Sequence, residues 1–152
     1  MNQHAKIDIR HSAYGENISP SISWSKGPEG TQSYAVIVED PDAGKEKPVT
    51  HWLLFNIPSN VTSLREGLPD GAALDDPKDA MQGINAHGTT GYFGPRPHAG
   101  ESEHHYHFQV FALDTTLDLE PTVTKRKELL EAMQGHVLAQ GTLVGVFQKP
   151  SS

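Results

Sequence analysis

Three separated segments carry the residues best suited to chemistry. They are Glu39-Asp40-Pro41-Asp42-Ala43, then Thr50-His51-Trp52, then a Gly/Pro-rich run over 91–100 followed by His104-His105-Tyr106. Asp40 and Asp42 close a β-branched run, Val36-Ile37-Val38, and His51 opens a second apolar run. His104 and Tyr106 stand two apart, which puts them on one face of a strand. Brought together, these segments would form a pocket with an acid, two imidazoles, a phenol and backbone donors. A carboxylate beside an imidazole orients the ring and favours its charged form. A charged imidazole then offers an N–H to a phosphate or carboxylate oxygen. Glycines at 91 and 94, with Pro95 after them, would let the main chain approach a ligand and expose its N–H groups. Plainer roles exist for each part: Asp40 caps the turn through Pro41 and Asp42, His51 is a satisfied core residue, and 91–100 is a crossing loop. Trp52, next to His51, is expected on the opposite face of its strand and in the core.

Other chemistries fit less well. An acid–base enzyme, a hydrolase or lyase acting on a phosphorylated small molecule, would pair Asp40 with His51 across one strand connection. His104 or Tyr106 would then be the second proton donor. No Gly-x-Ser-x-Gly elbow marks a nucleophile, and the chain has no cysteine. A phosphate loop and a dinucleotide fingerprint are also missing. Histidines 98, 104, 105 and 107 invite a metal site, but zinc wants three or four ligands converging on one point. Strand alternation sends these to opposite faces, so neither a metal nor a cofactor is expected.

The elements that must position these residues are mostly strands. Runs over 33–39, 49–56, 105–113 and 141–147 have strand composition. In the first, Tyr34, Val36 and Val38 share a face and Ala35 and Ile37 the other. The second, through Trp52-Leu53-Leu54-Phe55, suggests burial on both faces and should stop at Ile57-Pro58. Gly141 and Gly145 leave room for close packing or mark bulges. Turn signals lie between the runs at 28–30, 41–44, 66–67, 69–71 and 75–77. One helix is expected, N-capped by Thr124, with Leu129, Leu130 and Met133 as its stripe and Gly135 as its stop. Residues 62–66 read as a single helical turn. Short strands with frequent turns predict an antiparallel β-sandwich with one short C-terminal helix and long loops.

Composition limits the partners. The chain has 152 residues, 14 Gly, 11 Pro and a net charge of -7. That length predicts a single domain over 1–152, able to bury a core unaided. The negative balance and scattered basic residues argue against nucleic acid. An anion would be held by local donors, against the global field. No apolar run approaches the length of a membrane helix. Residues 1–10 lack a signal peptide's apolar stretch, so a cytoplasmic location is expected.

Four segments, in order, resemble the phosphatidylethanolamine-binding protein (Raf kinase inhibitor protein) family, in its short bacterial branch. Asn17-Ile18-Ser19-Pro20 with Ile22-Ser23-Trp24 is similar to the family's early strand. Asp40-Pro41-Asp42-Ala43 with His51-Trp52 is similar to its first signature, and 91–106 to its second. Met133-Gln134-Gly135-His136-Val137-Leu138 is similar to the bacterial closing segment. The resemblance implies two antiparallel sheets and a ligand pocket formed by Asp40, Ala43, His51, Gly91, Gly94, Pro95, His104 and Tyr106. It implies that the first acid hydrogen-bonds a histidine, that a small anion is the ligand, and that protein partners such as kinases are regulated. It also implies a homodimer. The chain ends just after its last strand, where other branches carry a further helix, so the pocket is expected to be more open. The sequence departs from the family pattern at His105, where arginine is usual, at Gly44, and at Arg96, which could reach the ligand.

Overall fold

The long apolar runs become the strands of one large sheet. In the computed structural model, which describes residues 5–42, 48–97 and 103–148, the elements run β1 (Ala5–Lys6), β2 (Ile22–Ser23), β3 (Ser33–Asp40), β4 (Val49–Pro58), β5 (Ser63–Leu64), β6 (Ala73–Asp75), β7 (Lys78–Gln82), β8 (His104–Leu113), α1 (Arg126–Met133) and β9 (Val137–Phe147). Seven strands pair in the order β1-β9-β8-β3-β4-β7-β6, and β2 with β5 forms a small second sheet. All pairs are antiparallel except β1 with β9. The mainly β, antiparallel architecture with one short helix is therefore as the sequence predicts.

Alternation explains why both faces of the large sheet are buried. Tyr34, Val36 and Val38 face one cluster with Trp52, Leu54 and Phe108, covered by Ile22 and Leu64 of the small sheet. Ala35 and Ile37 face the other with Leu53, Phe55 and Phe111, covered by Leu129 and Met133 of α1. Fully burying each of those two helix side chains is worth roughly 2 kcal/mol. The stripe of α1 thus fixes the helix to the back of the sheet, away from the Asp40 side.

Several local expectations are corrected. Lys125, not Thr124, is the N-cap of α1, and its N–H is satisfied by the Glu128 carboxylate at 2.9 Å. Thr124 instead ends a preceding 3-10 turn and bonds back to Glu120. Residues 62–66 form no helical turn, because Ser63 and Leu64 pair with β2. β4 runs on through Ile57 to Pro58, since Ile57 still finds a partner in Tyr34. β9 starts at Val137, four residues before the expected start; its first half is exposed and carries no alternating pattern. Gly135 does take the left-handed conformation expected of the helix stop, with φ 84°. Of the early family-like segment only Ile22–Ser23 is a strand, and Asn17 is left-handed with φ 57°.

One polar junction ties α1 to the sheet. The Glu39 carboxylate accepts from Arg126 Nε at 2.6 Å and from Gln109 Nε2 at 2.8 Å. Arg126→Ala would leave that largely buried carboxylate with one donor. The expected cost is about 1–2 kcal/mol, measured by chemical denaturation. An unchanged midpoint would mean that the junction adds nothing to stability.

Candidate functional site

The site forms where the C-terminal end of β3 meets the N-terminal end of its antiparallel neighbour β8. Glu39 pairs with His107 there, which brings Asp40 next to His104. The His104 Nδ1–H donates to Asp40 Oδ2 at 2.7 Å. Asp40 Oδ1 accepts the Asp42 N–H at 2.8 Å. One carboxylate therefore caps the Asp-Pro-Asp turn and also orients a histidine, so the two roles weighed for Asp40 coexist.

His51 arrives through a β-bulge. Val38 pairs with Trp52 and Glu39 with Thr50, which leaves His51 unpaired between them. The extra residue turns His51 out of strict alternation. Its ring meets Tyr106 edge-on at 5.3 Å, and Tyr106 belongs to the same apolar cluster as Trp52. The expectation that His51 and Trp52 point to opposite faces is thus corrected, although Trp52 is core as expected. Its Nε1–H donates to Gln82 Oε1 at 2.7 Å, and the Gln82 amide in turn donates to the Pro69 and Gly71 carbonyls.

The Asp40–His51 pairing that the spacing would allow is not the hydrogen bond formed. Asp40 bonds His104, and His51 Nδ1 donates instead to the Phe93 carbonyl at 2.5 Å. Each ring is thus oriented through its Nδ1, His104 by the carboxylate and His51 by the carbonyl. Asp40, His51, His104 and Tyr106 are 1, 3, 6 and 1% exposed. His104 and Tyr106 stack with centroids 6.4 Å apart. The four side chains expected from sequence are therefore together in one buried cluster.

Backbone groups of the Gly/Pro segment are engaged by residues 13–17. The Gly94 N–H is taken by Asn17 Oδ1 at 2.7 Å. The Pro95 carbonyl accepts from Ala13 N at 2.9 Å, and the Pro97 carbonyl from the Tyr14 hydroxyl at 2.5 Å. Gly91, with φ 142°, sits against Asp70, and a Cβ there would lie 2.5 Å from Asp70 Oδ1. Gly94 admits the His11 backbone, and Gly91 admits Asp70. What they deliver to the site is the Phe93 carbonyl, fixed in place. Ala43 and Gly44 lie outside the described residues, as does His98 of the metal hypothesis. Among the described residues no three His, Asp or Glu side chains are placed to hold one metal ion.

Phe93 was missed at the sequence level, as were Asn17, Ala13 and Tyr14. Its ring stacks on His51 at 5.2 Å and lies against His87 at 4.7 Å. An aromatic in a glycine-rich run beside a histidine signature was the available signal. His136, by contrast, pairs with exposed Asp114, at the Leu113 end of β8.

His105 and Asp42 sit beside the site. Asp42 Oδ2 accepts from the His105 N–H at 2.8 Å and from its Nδ1 at 3.0 Å. Burial alone would raise the Asp42 carboxyl. The His105 backbone N–H and imidazole outweigh it and hold the group below its ordinary 3.8. A titratable partner thus stands where the family resemblance leads one to expect an arginine.

His51 is held below the ordinary imidazole value of 6.5, chiefly by burial. The Phe93 hydrogen bond and the Asp40 charge oppose that shift, and His104 adds to it. The unfolded chain therefore takes up this proton at higher pH than the folded chain does. Stability must fall as pH drops below 6.5, until the folded value is passed. We expect the melting temperature to fall between about pH 7 and pH 5, and His51→Gln to fall less over that range. Parallel curves for the two proteins would contradict the assignment.

Comparison with known proteins agrees with the fold. The profile of the phosphatidylethanolamine-binding protein family matches residues 1–148. A UPF0098 protein of Methanothermobacter thermautotrophicus is 46% identical over 149 residues, covering 98% of this chain and 95% of that one. The solved structure of Escherichia coli YbcL superposes with a TM-score of 0.88 at 31% identity, covering 99% of this chain and 94% of the other. A phosphatidylethanolamine-binding protein homologue of Chlamydia trachomatis superposes with a TM-score of 0.85 at 34% identity and the same coverage. Among the described residues no helix is long and apolar enough to cross a membrane.

Proposed function

Since the chain belongs to the phosphatidylethanolamine-binding protein family, we propose that it binds a small anion, a phosphate group or carboxylate, in the cluster of Asp40, His51, His104 and Tyr106. The observation that carries this reading is the Asp40–His104 hydrogen bond of 2.7 Å, next to a second imidazole whose Nδ1 is already engaged. The arrangement sets two imidazoles in one buried cluster, each oriented through its Nδ1. A carboxylate behind one ring stabilises its positive charge, which is what an anion needs in a protein of net charge -7.

Binding would be linked to protons. Burial disfavours the charged form of His51, and an anion favours it, so occupancy raises the affinity of Nε2 for a proton. Anion affinity then rises as pH falls through and below the ordinary imidazole range. Catalysis ranks second. The carboxylate is committed to His104 and to Asp42, so no Asp40–His51 acid–base pair is assembled. A protein partner enters this reading only as a reader of pocket occupancy.

Equilibrium dialysis of phosphate, phosphoethanolamine and a nucleotide tests the proposal. Saturable, mutually competitive binding is expected, with the panel recovered unchanged. Absence of binding to all three refutes the anion pocket. Turnover of the panel that disappears in His51→Ala would make the protein an enzyme.

A further inference from the structure

A cavity of about 370 Å³ opens beside Phe93. Tyr14, Asn17, Asp70, His87, Phe93 and Arg96 line it. The Phe93 ring is 5.2 Å from His51 and 4.7 Å from His87, so the two imidazoles lie within about 10 Å of each other by way of that ring. The cavity is therefore next door to the anion cluster, with a half-exposed aromatic ring as the shared wall.

Its polar groups are mostly donors. Arg96 is exposed and has no carboxylate partner among the described residues, although the protein is acidic. His87 is exposed and lies against Phe93. The Asn17 Oδ1 accepts the Gly94 N–H, which leaves the Asn17 amide nitrogen as a donor. Asp70 is the acid of the set, exposed, with its carboxylate beside Gly91. The backbone that presents these groups is pinned by Ala13–Pro95, Tyr14–Pro97 and Asn85–Gly91 hydrogen bonds. A guanidinium, an imidazole and an amide on a fixed frame suit a phosphate or carboxylate group.

We propose that this cavity is a second anion subsite, and that it makes the protein select ligands carrying two anionic groups on a linker of up to about 10 Å. The proposal rests on the anion reading of the first cluster. Arg96 supplies the attraction, His87 and Asn17 supply further donors, and Asp70 limits the gain. Tethering converts the second contact into an intramolecular one, so its contribution multiplies the affinity of the first.

The test compares hexyl phosphate with the bisphosphate on a hexane linker, titrated into the wild type, Arg96→Ala and Asp70→Asn. Both side chains are exposed, so folding should persist, and circular dichroism checks it. The wild type should bind the bisphosphate at least about 10-fold more tightly than the monophosphate. Arg96→Ala should remove most of that ratio and leave hexyl phosphate binding in place, whereas Asp70→Asn should increase the ratio. Equal affinity for the two probes in the wild type overturns the subsite alone. So does an Arg96→Ala protein that weakens both probes equally, since that is a general charge effect. If hexyl phosphate itself does not bind the wild type, the first cluster is not an anion site and both readings fall.

Discussion

Gly94→Ala is expected to abolish anion binding and to lower stability by about 3 kcal/mol or more. A Cβ at this position would lie 2.0 Å from the His11 carbonyl oxygen and 2.8 Å from Asn17 Oδ1. Neither can yield cheaply. The same His11 oxygen accepts the buried Tyr92 hydroxyl at 2.7 Å, and Asn17 Oδ1 caps the Gly94 N–H itself. Relief requires moving the segment that presents the Phe93 carbonyl to His51. Denaturation and phosphate titration of the variant check both effects. Gly141→Ala is the control, because a Cβ there meets nothing within 4 Å and should change stability by no more than about 0.5 kcal/mol. A Gly94→Ala protein as stable as the control would contradict the close-approach argument.

Asp40→Asn should weaken phosphate binding about 100-fold and cost about 1–3 kcal/mol of stability. The substitution keeps the shape and removes the charge. The carboxylate accepts from two donors, the Asp42 N–H and His104 Nδ1. An amide has one oxygen and an NH₂ group, so one of those donors would face another donor in a buried site. His104 would also lose the negative charge behind its ring. Calorimetric titration and thermal melting report the two effects separately. Wild-type affinity in Asp40→Asn would mean that the carboxylate does not support the anion.

The strands were legible because their physics is local. Tyr34-Ala35-Val36-Ile37-Val38 alternates between two clusters as its sequence says, and Trp52-Leu53-Leu54-Phe55 is buried on both faces. The site residues were legible through the motifs that carry them. Their pairing was not. Sequence spacing would allow Asp40 to meet His51, but a bulge at His51 and the β3–β8 register give Asp40 its hydrogen bond to His104. A bulge depends on partners distant in sequence, and no residue near 51 announces it. The glycines were read as openings for a ligand. Gly94 is packed against His11 and Asn17, and Gly91 against Asp70, contacts distant in sequence that no local pattern encodes. The small sheet was misread for a similar reason: Ser63–Leu64 is a strand only because β2 is beside it.

Calorimetric titration of inorganic phosphate into the wild type and into Asp40→Ala/His51→Ala, in two buffers of different ionisation enthalpy near neutral pH, tests the central claim most directly. The account predicts saturable binding to the wild type, a heat that differs between buffers because His51 takes up a proton, and loss of both in the double variant. Binding that survives in the double variant, or buffer-independent heat in the wild type, would contradict it.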